Sequence, residues 1–124
     1  MESEIVDEFE YRGHFCVVVK MEIDGTFHNG YVEIPKPKRR ELTSKRMSKH
    51  QWDVTYHRFS KYNLPQELTY SDMGIARAYE DKYFIGFDTN HLYNYDHRET
   101  QTQEYAKKEL KKLVDALIDC KAIE

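Results

Sequence analysis

The chain lacks the residues that most catalytic and cofactor-binding motifs require. It has two cysteines, Cys16 and Cys120, with no CxxC pair and no Cys-His cluster, which excludes a disulfide scaffold and a zinc ribbon. Its five glycines stand singly, so no phosphate-binding glycine loop is present. Ser71 lies between Tyr70 and Asp72 and lacks the glycines of a nucleophile elbow. No complete catalytic motif is left, and we expect a protein that is not an enzyme.

Long hydrophobic runs are also missing. The longest clean run is FCVVV at residues 15–19, whereas a membrane-spanning helix needs about 20 apolar residues. The first ten residues are acidic, unlike a secretory or mitochondrial leader. We therefore expect no membrane association and one soluble domain over residues 1–124. The two cysteines are then reduced thiols, as in a cytosol, and a single bridge between them is the alternative.

Aromatic residues are abundant. Ten Tyr, six Phe and one Trp make up 14% of the chain, and a disordered chain would lack them. A folded, β-rich core is therefore expected. We assign to this core Phe15, Phe27, Tyr31, Phe84 and Phe87. The sequence does not decide whether three tyrosines lie in the core or on the surface: Tyr62, Tyr93 and Tyr95.

Strand signals dominate the first two thirds of the chain. Asp24-Gly25 separates two runs rich in β-branched and aromatic residues, which predicts an antiparallel hairpin over residues 13–23 and 26–34. Further strands are predicted at 51–57, 67–71 and 83–87. We expect an acidic tail or short helix at 1–10, a helical turn or loop at 73–81 and loops at 60–65 and 91–98.

One long helix is predicted near the end of the chain, over residues 101–120. Thr100 and Gln103 have the spacing of a capping box. Apolar residues recur at helical spacing on one face: Ala106, Leu110, Leu113, Val114 and Leu117. Strands followed by one helix predict an α+β fold: a small antiparallel sheet of four to five strands packed by one long C-terminal helix.

Charge is distributed unevenly. Residues 1–35 carry −6, whereas residues 36–50 carry +6 and are expected to form a basic loop. Three interpretations of such a loop are open: it is only a solvated surface loop, it binds nucleic acid, or it docks on a protein. We favour a protein partner because the whole chain is acidic, with a pI of about 6.1. The candidate partner-binding residues are Lys36, Lys38, Arg39, Arg40, Lys45, Arg46, Lys49, Trp52 and Tyr62.

Three pieces of sequence occur in a distinctive order. GYVEIP occupies residues 30–35, LTYS residues 68–71 and GFDTNH residues 86–91, and the predicted helix follows. This order resembles a widespread set of small phage and prophage proteins of unknown function, with the pattern GYVxVP, HGGLTYS, WWxGFDxAH and a helix. The resemblance spans about three quarters of the chain, residues 30–120. It implies a phage or prophage gene product that acts in the cytoplasm of the bacterial host.

The chain departs from that pattern at three places. PQE stands before LTYS in place of HGG, YFI stands before GFD in place of WWx, and TN replaces the CA often found between the Asp and the His. The first histidine of the pattern is therefore missing. His57 is the candidate to replace it in space.

Asp88 and His91 are the candidate metal ligands. They follow a predicted buried strand, where a carboxylate and an imidazole can share a divalent cation such as zinc or form an acid-base pair. Because zinc takes three or four ligands, three further candidates are added: His57, Asp96 and His97. The structural alternative is that Asp88 caps a turn and His91 hydrogen-bonds a backbone carbonyl.

Three functions follow from these features. The first is a non-enzymatic phage or prophage accessory protein that binds and inhibits a host protein or ribonucleoprotein complex, as an anti-CRISPR counter-defence protein does; it rests on analogy. The second is a metal-binding module or metal-dependent hydrolase centred on Asp88 and His91. The third is a nucleic-acid-binding accessory protein that uses residues 36–50.

Overall fold

The predicted α+β fold is confirmed. The computed structural model describes residues 2–34 and 64–123. In these residues the strands are β1 (Glu2–Tyr11), β2 (His14–Glu22), β3 (Thr26–Glu33), β4 (Tyr70–Ile75) and β5 (Ala78–Phe87). They form one antiparallel sheet in the order β1-β2-β3-β5-β4. The helices are α1 (Leu92–Asp96), a 3-10 helix (Arg98–Gln101) and α2 (Gln103–Asp119).

Helix α2 covers one face of the sheet. The apolar face predicted from the sequence is confirmed, since all five of its residues are fully buried. They pack against side chains of β2, β3 and β5 that point to the same side: Cys16, Val18, Val32, Ile85 and Phe87. The helix begins two residues later than predicted, because Thr102 rather than Thr100 caps it and accepts a hydrogen bond from the Tyr105 amide at 3.2 Å.

The opposite face of the sheet carries a second apolar cluster of Val17, Val19, Tyr31, Ile75 and Phe84. We call this the aromatic face. Ring pairs extend it, with Phe15 against Tyr79 and Tyr31 against Tyr70, each pair 5.1 Å apart between centroids and edge to face. Strand β2 is buried on both sides, which explains its continuous apolar run.

Four of the five predicted core aromatics are buried, namely Phe27, Tyr31, Phe84 and Phe87. Phe15 is partly buried and packs at the margin of the aromatic face. Tyr93 and Tyr95, whose placement the sequence left open, are exposed.

The prediction of an acidic tail or short helix at residues 1–10 is wrong, because β1 occupies Glu2–Tyr11. A bulge between Ile5 and Asp7 shifts the register against β2 by one residue. Ile5 therefore packs on the aromatic face, whereas Phe9 and Tyr11 pack on the face under α2. This change of face breaks the alternation by which a strand is recognised in a sequence.

Residues 73–81 are also not a helical turn or loop. They contain the end of β4, the turn Ala76–Arg77 and the start of β5. Both turn residues have positive φ, 45° and 64°, as a two-residue type I′ hairpin requires. Because neither is Gly, Asn or Asp, the sequence contains no turn signal there. The strand predicted at 67–71 begins instead at Tyr70.

The loop predicted at 91–98 is largely helical, since it contains α1 and the start of the 3-10 helix. The strand at 51–57 and the basic loop at 36–50 lie outside the described residues. So do His57 and all nine candidate partner-binding residues. In the described part of the chain, no helix is long and apolar enough to cross a membrane.

The packing of α2 predicts the effect of a cavity at Leu117. We expect Leu117→Ala to lower the free energy of unfolding by about 2–5 kcal/mol, because the side chain is fully buried. Urea unfolding measures this loss. Lys108→Ala, at an exposed position of the same helix, is the control and should change stability by less than about 0.5 kcal/mol. Equal midpoints for the two variants would contradict the packing described.

The two cysteines differ in exposure, which predicts their reactivity. Both are free; Cys16 is buried and Cys120 is exposed. Burial raises the pKa of Cys16 to about 12, against a smaller opposing effect of the Lys111 charge, so its thiol stays protonated. We expect a thiol reagent at pH 8 to modify one thiol in the folded protein and two in denaturant. Loss of the fast-reacting thiol in Cys120→Ser, and not in Cys16→Ser, identifies it.

Candidate functional site

Residues 88–101, which we call the site loop, connect β5 to α2 and are held to the sheet by buried hydrogen bonds. The Thr89 hydroxyl donates to the His28 carbonyl at 2.8 Å and accepts from the His28 amide at 3.2 Å. Gln101 donates its side-chain amide to the Thr89 carbonyl at 3.0 Å. These hydrogen bonds attach the beginning of the site loop to β3 and the end of the loop to its beginning.

His28 is a further anchor of the site loop. Its Nδ1 lies 2.7 Å from the Gln101 carbonyl, and because a carbonyl only accepts, Nδ1 carries the hydrogen. The ring is buried among polar groups, with Thr89 and Gln101 also buried. These contacts give His28 a structural role that the sequence did not reveal.

Asp88 and His91 are in contact, as the spacing of GFDTNH suggested. Asp88 Oδ1 lies 3.2 Å from His91 Nε2 and accepts the Asn90 amide hydrogen at 2.9 Å. Its Oδ2 accepts from the Thr69 hydroxyl at 2.9 Å. The Asp88 side chain is 27% exposed and that of His91 is 44% exposed, so solvent reaches the pair. Asp88 does cap a turn, while its carboxylate also orients an imidazole.

The next two predicted metal ligands, His97 and Asp96, have other surroundings than the Asp88–His91 pair. His97 Nδ1 donates to the Tyr93 carbonyl at 2.9 Å, and its ring stacks on Tyr93 with centroids 4.1 Å apart. Asp96 ends α1 at an exposed position. Within residues 2–34 and 64–123, no group of three His, Cys, Asp or Glu side chains is placed to hold a metal ion. His57 lies outside these residues, so the five-residue set stays a prediction.

Asn29 is a residue that the sequence analysis missed. It lies on β3, 93% buried, and its amide donates to the Tyr31 hydroxyl at 3.1 Å. Among the residues that the structure describes, its Oδ1 has no hydrogen-bond partner. A buried polar atom without a partner costs about 1–3 kcal/mol. One signal was available, because asparagine is uncommon in the middle of strands.

Two tyrosines of the aromatic face, Tyr31 and Tyr70, are in contact with each other. Burial raises the pKa of Tyr31; the Asn29 hydrogen bond acts in the opposite direction, and the Asp88 charge raises it further. Burial likewise raises the pKa of Tyr70 to about 12, with smaller contributions from Asp72, Tyr31 and Tyr83. Both phenols therefore stay neutral at physiological pH and act as hydrogen-bonding groups rather than as bases.

Helix α1 buries an asparagine and exposes its apolar residues. Its one buried residue is Asn94, whose Oδ1 accepts from the His91 amide at 3.1 Å and whose amide donates to the Thr100 hydroxyl at 2.7 Å. Its apolar residues face solvent: Leu92 is 80% exposed, Tyr93 59% and Tyr95 39%. We call Leu92, Tyr93 and Tyr95 the α1 patch. A helix that stabilises its own fold buries such residues.

Comparison with models of known protein families, with curated proteins and with solved structures gives no match for this chain. The resemblance to phage and prophage proteins therefore remains a prediction.

The anchoring of α1 by Asn94 predicts the effect of removing that side chain. We expect Asn94→Ala to destabilise the site loop by about 1–3 kcal/mol, because the His91 amide and the Thr100 hydroxyl lose their partner. Amide hydrogen exchange should accelerate in residues 88–101 and stay nearly unchanged in α2. Glu99→Ala, at an exposed position of the same loop, is the control. Uniform acceleration over the whole chain would contradict a local role.

Proposed function

We propose that this chain is a non-enzymatic accessory protein, of phage or prophage origin, that binds and inhibits a host macromolecule. The observation that supports binding is the exposure of helix α1. An asparagine is its one buried residue and its three apolar residues are exposed, as expected if a partner covers the α1 patch.

The energetics of the patch support this proposal. Burying a side chain such as Leu92 contributes a favourable free energy of about 1.5–3 kcal/mol. The free protein lacks this contribution because Leu92 is exposed. The site loop holds the patch in place through Asn94, Gln101 and His28, so little conformational entropy is lost on binding. Exposed aromatic residues on a rigid support are typical of the residues that dominate protein interfaces.

The surroundings of the patch favour a protein partner. Both signs of charge are present next to it, because Asp96 follows Tyr95 in α1 and Arg98 comes two residues later. Arg98 is held over the Tyr95 ring at 4.9 Å and donates to the Gln101 side chain at 2.8 Å. A mixed polar margin around apolar residues is the usual composition of a protein–protein interface, whereas a nucleic-acid surface is mainly positive.

The inhibitory part of the proposal rests on the sequence resemblance and on the analogy with small phage proteins that block a host system. Bacterial defence complexes of the CRISPR type are the first targets to test. The direct experiment adds the purified protein to a reconstituted effector complex and measures cleavage of its target DNA. We expect inhibition that saturates at one chain per complex. Unchanged cleavage by effectors of every major type would remove the counter-defence assignment.

Substitutions in the α1 patch test the binding surface itself. We expect Leu92→Ser and Tyr93→Ser each to weaken binding to the partner at least tenfold, because each removes an exposed apolar side chain that the partner would cover. Met73→Ser, at another exposed apolar residue on β4, is the matched control and should bind normally. Surface plasmon resonance measures the affinities, and thermal unfolding checks that all three variants fold.

Two results would contradict this proposal. One is full affinity in both patch variants. The other is tight, salt-sensitive binding of naked DNA or RNA by the wild-type protein, which would favour phosphate recognition by the basic residues instead.

A further inference from the structure

Asn29 and Asp88 flank the last pair of the β3–β5 ladder. That pair joins Gly30 and Phe87, so Asn29 precedes it on β3 and Asp88 follows it at the end of β5. Beyond them, the Thr89 hydroxyl bonds both backbone groups of His28, which keeps residue 89 beside residue 28. Asn29 and Asp88 lie between these two contacts and are therefore neighbours.

The direction of both side chains follows from their neighbours. Asn29 hydrogen-bonds to Tyr31, which belongs to the aromatic face. Asp88 is two residues after Gly86, and the Tyr31 ring lies directly over Gly86, where an added Cβ would come within 2.5 Å of the ring. Asn29 and Asp88 are therefore neighbours at the edge of the aromatic face, beside Tyr31.

His91 contributes a nitrogen to the same place. Its Nε2 lies 3.2 Å from Asp88 Oδ1. Two atoms that bind one divalent ion at about 2.1 Å each, with an angle of 90–110° between the bonds, are about 3.0–3.4 Å apart. The observed separation has the value expected for two ligands of the same ion.

We propose that Asn29, Asp88 and His91 form a binding site for a divalent transition-metal ion, with Asn29 Oδ1 as its inner ligand. The observation that points to a ligand is the buried Asn29 oxygen, which has no partner within residues 2–34 and 64–123 and which a cation would satisfy. The ion would take the place of the hydrogen between Nε2 and Oδ1. This site does not depend on the proposed function, since none of its residues belongs to the α1 patch.

The donor set selects the kind of ion. One imidazole nitrogen suits zinc and other transition metals, whereas carboxylate and amide oxygens suit harder ions such as manganese. A mixed set of one nitrogen and two oxygens therefore fits Mn²⁺ or Zn²⁺. Three protein ligands also leave coordination positions for water, because His91 and Asp88 are open to solvent.

The test is calorimetric titration of the full-length, tag-free, chelator-treated protein with MnCl₂ and, separately, with ZnCl₂. We expect one ion per chain for at least one of the two metals. Asp88→Ala and His91→Ala should each weaken that binding at least tenfold, and so should Asn29→Ala. The Asp96→Asn/His97→Gln double variant is the matched control, with a carboxylate and an imidazole changed nearby, and should keep the wild-type affinity.

A second substitution keeps the test decisive if Asn29→Ala does not fold. Asn29→Asp preserves size and adds a negative charge at the proposed inner ligand, so we expect it to bind the ion at least tenfold more tightly than wild type. Absence of saturable binding at one ion per chain overturns the proposal. So does an affinity that is unchanged in Asn29→Asp, or one that falls equally in the Asp96→Asn/His97→Gln control.

Discussion

The short pairing between β3 and β5 is the constraint on which the rest of the structure depends. Residues Gly30–Glu33 and Phe84–Phe87 provide the pairing that joins the β1–β3 meander to the β4–β5 hairpin. Two glycines make it possible. An added Cβ at Gly30 would meet the Phe87 ring at 2.7 Å, and one at Gly86 would meet the Gly30 carbonyl and the Tyr31 ring at 2.5 Å. Larger residues would push the two halves apart.

This junction also determines where the polar groups meet. On the face under α2, the Phe87 ring fills the space beside Gly30. On the aromatic face, the Tyr31 ring fills the space beside Gly86. These contacts fix the direction in which the chain leaves β5 at Asp88. The hydrogen bonds of Thr89 and Gln101 then lead it back along β3 to the start of α2. The exposed α1 patch and the Asp88–His91 pair thus lie on a loop held by the sheet, and a recognition surface of this kind is preorganised.

The sequence predicted those parts of the fold in which local signals and burial agree. Asp24-Gly25 supports the β2–β3 hairpin because both residues adopt positive φ, and α2 shows the helical repeat of a helix with one buried side. Strand β1 escaped prediction because its bulge changes the buried face. Helix α1 escaped because its buried residue is an asparagine, so no amphipathic repeat exists to detect.

The candidate site was predictable to a similar extent. The spacing of Asp88 and His91 suggested a pair, and the two are in contact. Asn29 could not be found in the same way. Its Oδ1 has no hydrogen-bond partner in the described part of the chain, and the β3–β5 pairing brings it near residues distant in the sequence; neither fact is visible in the sequence. The reading of Thr100 as a helix cap was wrong because its hydroxyl donates to the His97 carbonyl and accepts from Asn94, and Thr102 is left to cap α2.

The acidity of β1 has a consequence for how molecules of this protein meet in a crowded solution. In the described sheet β1 is an outermost strand, and an outermost strand can pair with its counterpart on another molecule. Glu2, Glu4, Glu8 and Glu10 would then bring carboxylates of both molecules together along one ribbon. Their mutual repulsion, with the kink at the bulge, opposes growth of the sheet from one molecule into the next and keeps a strand-rich protein dispersed.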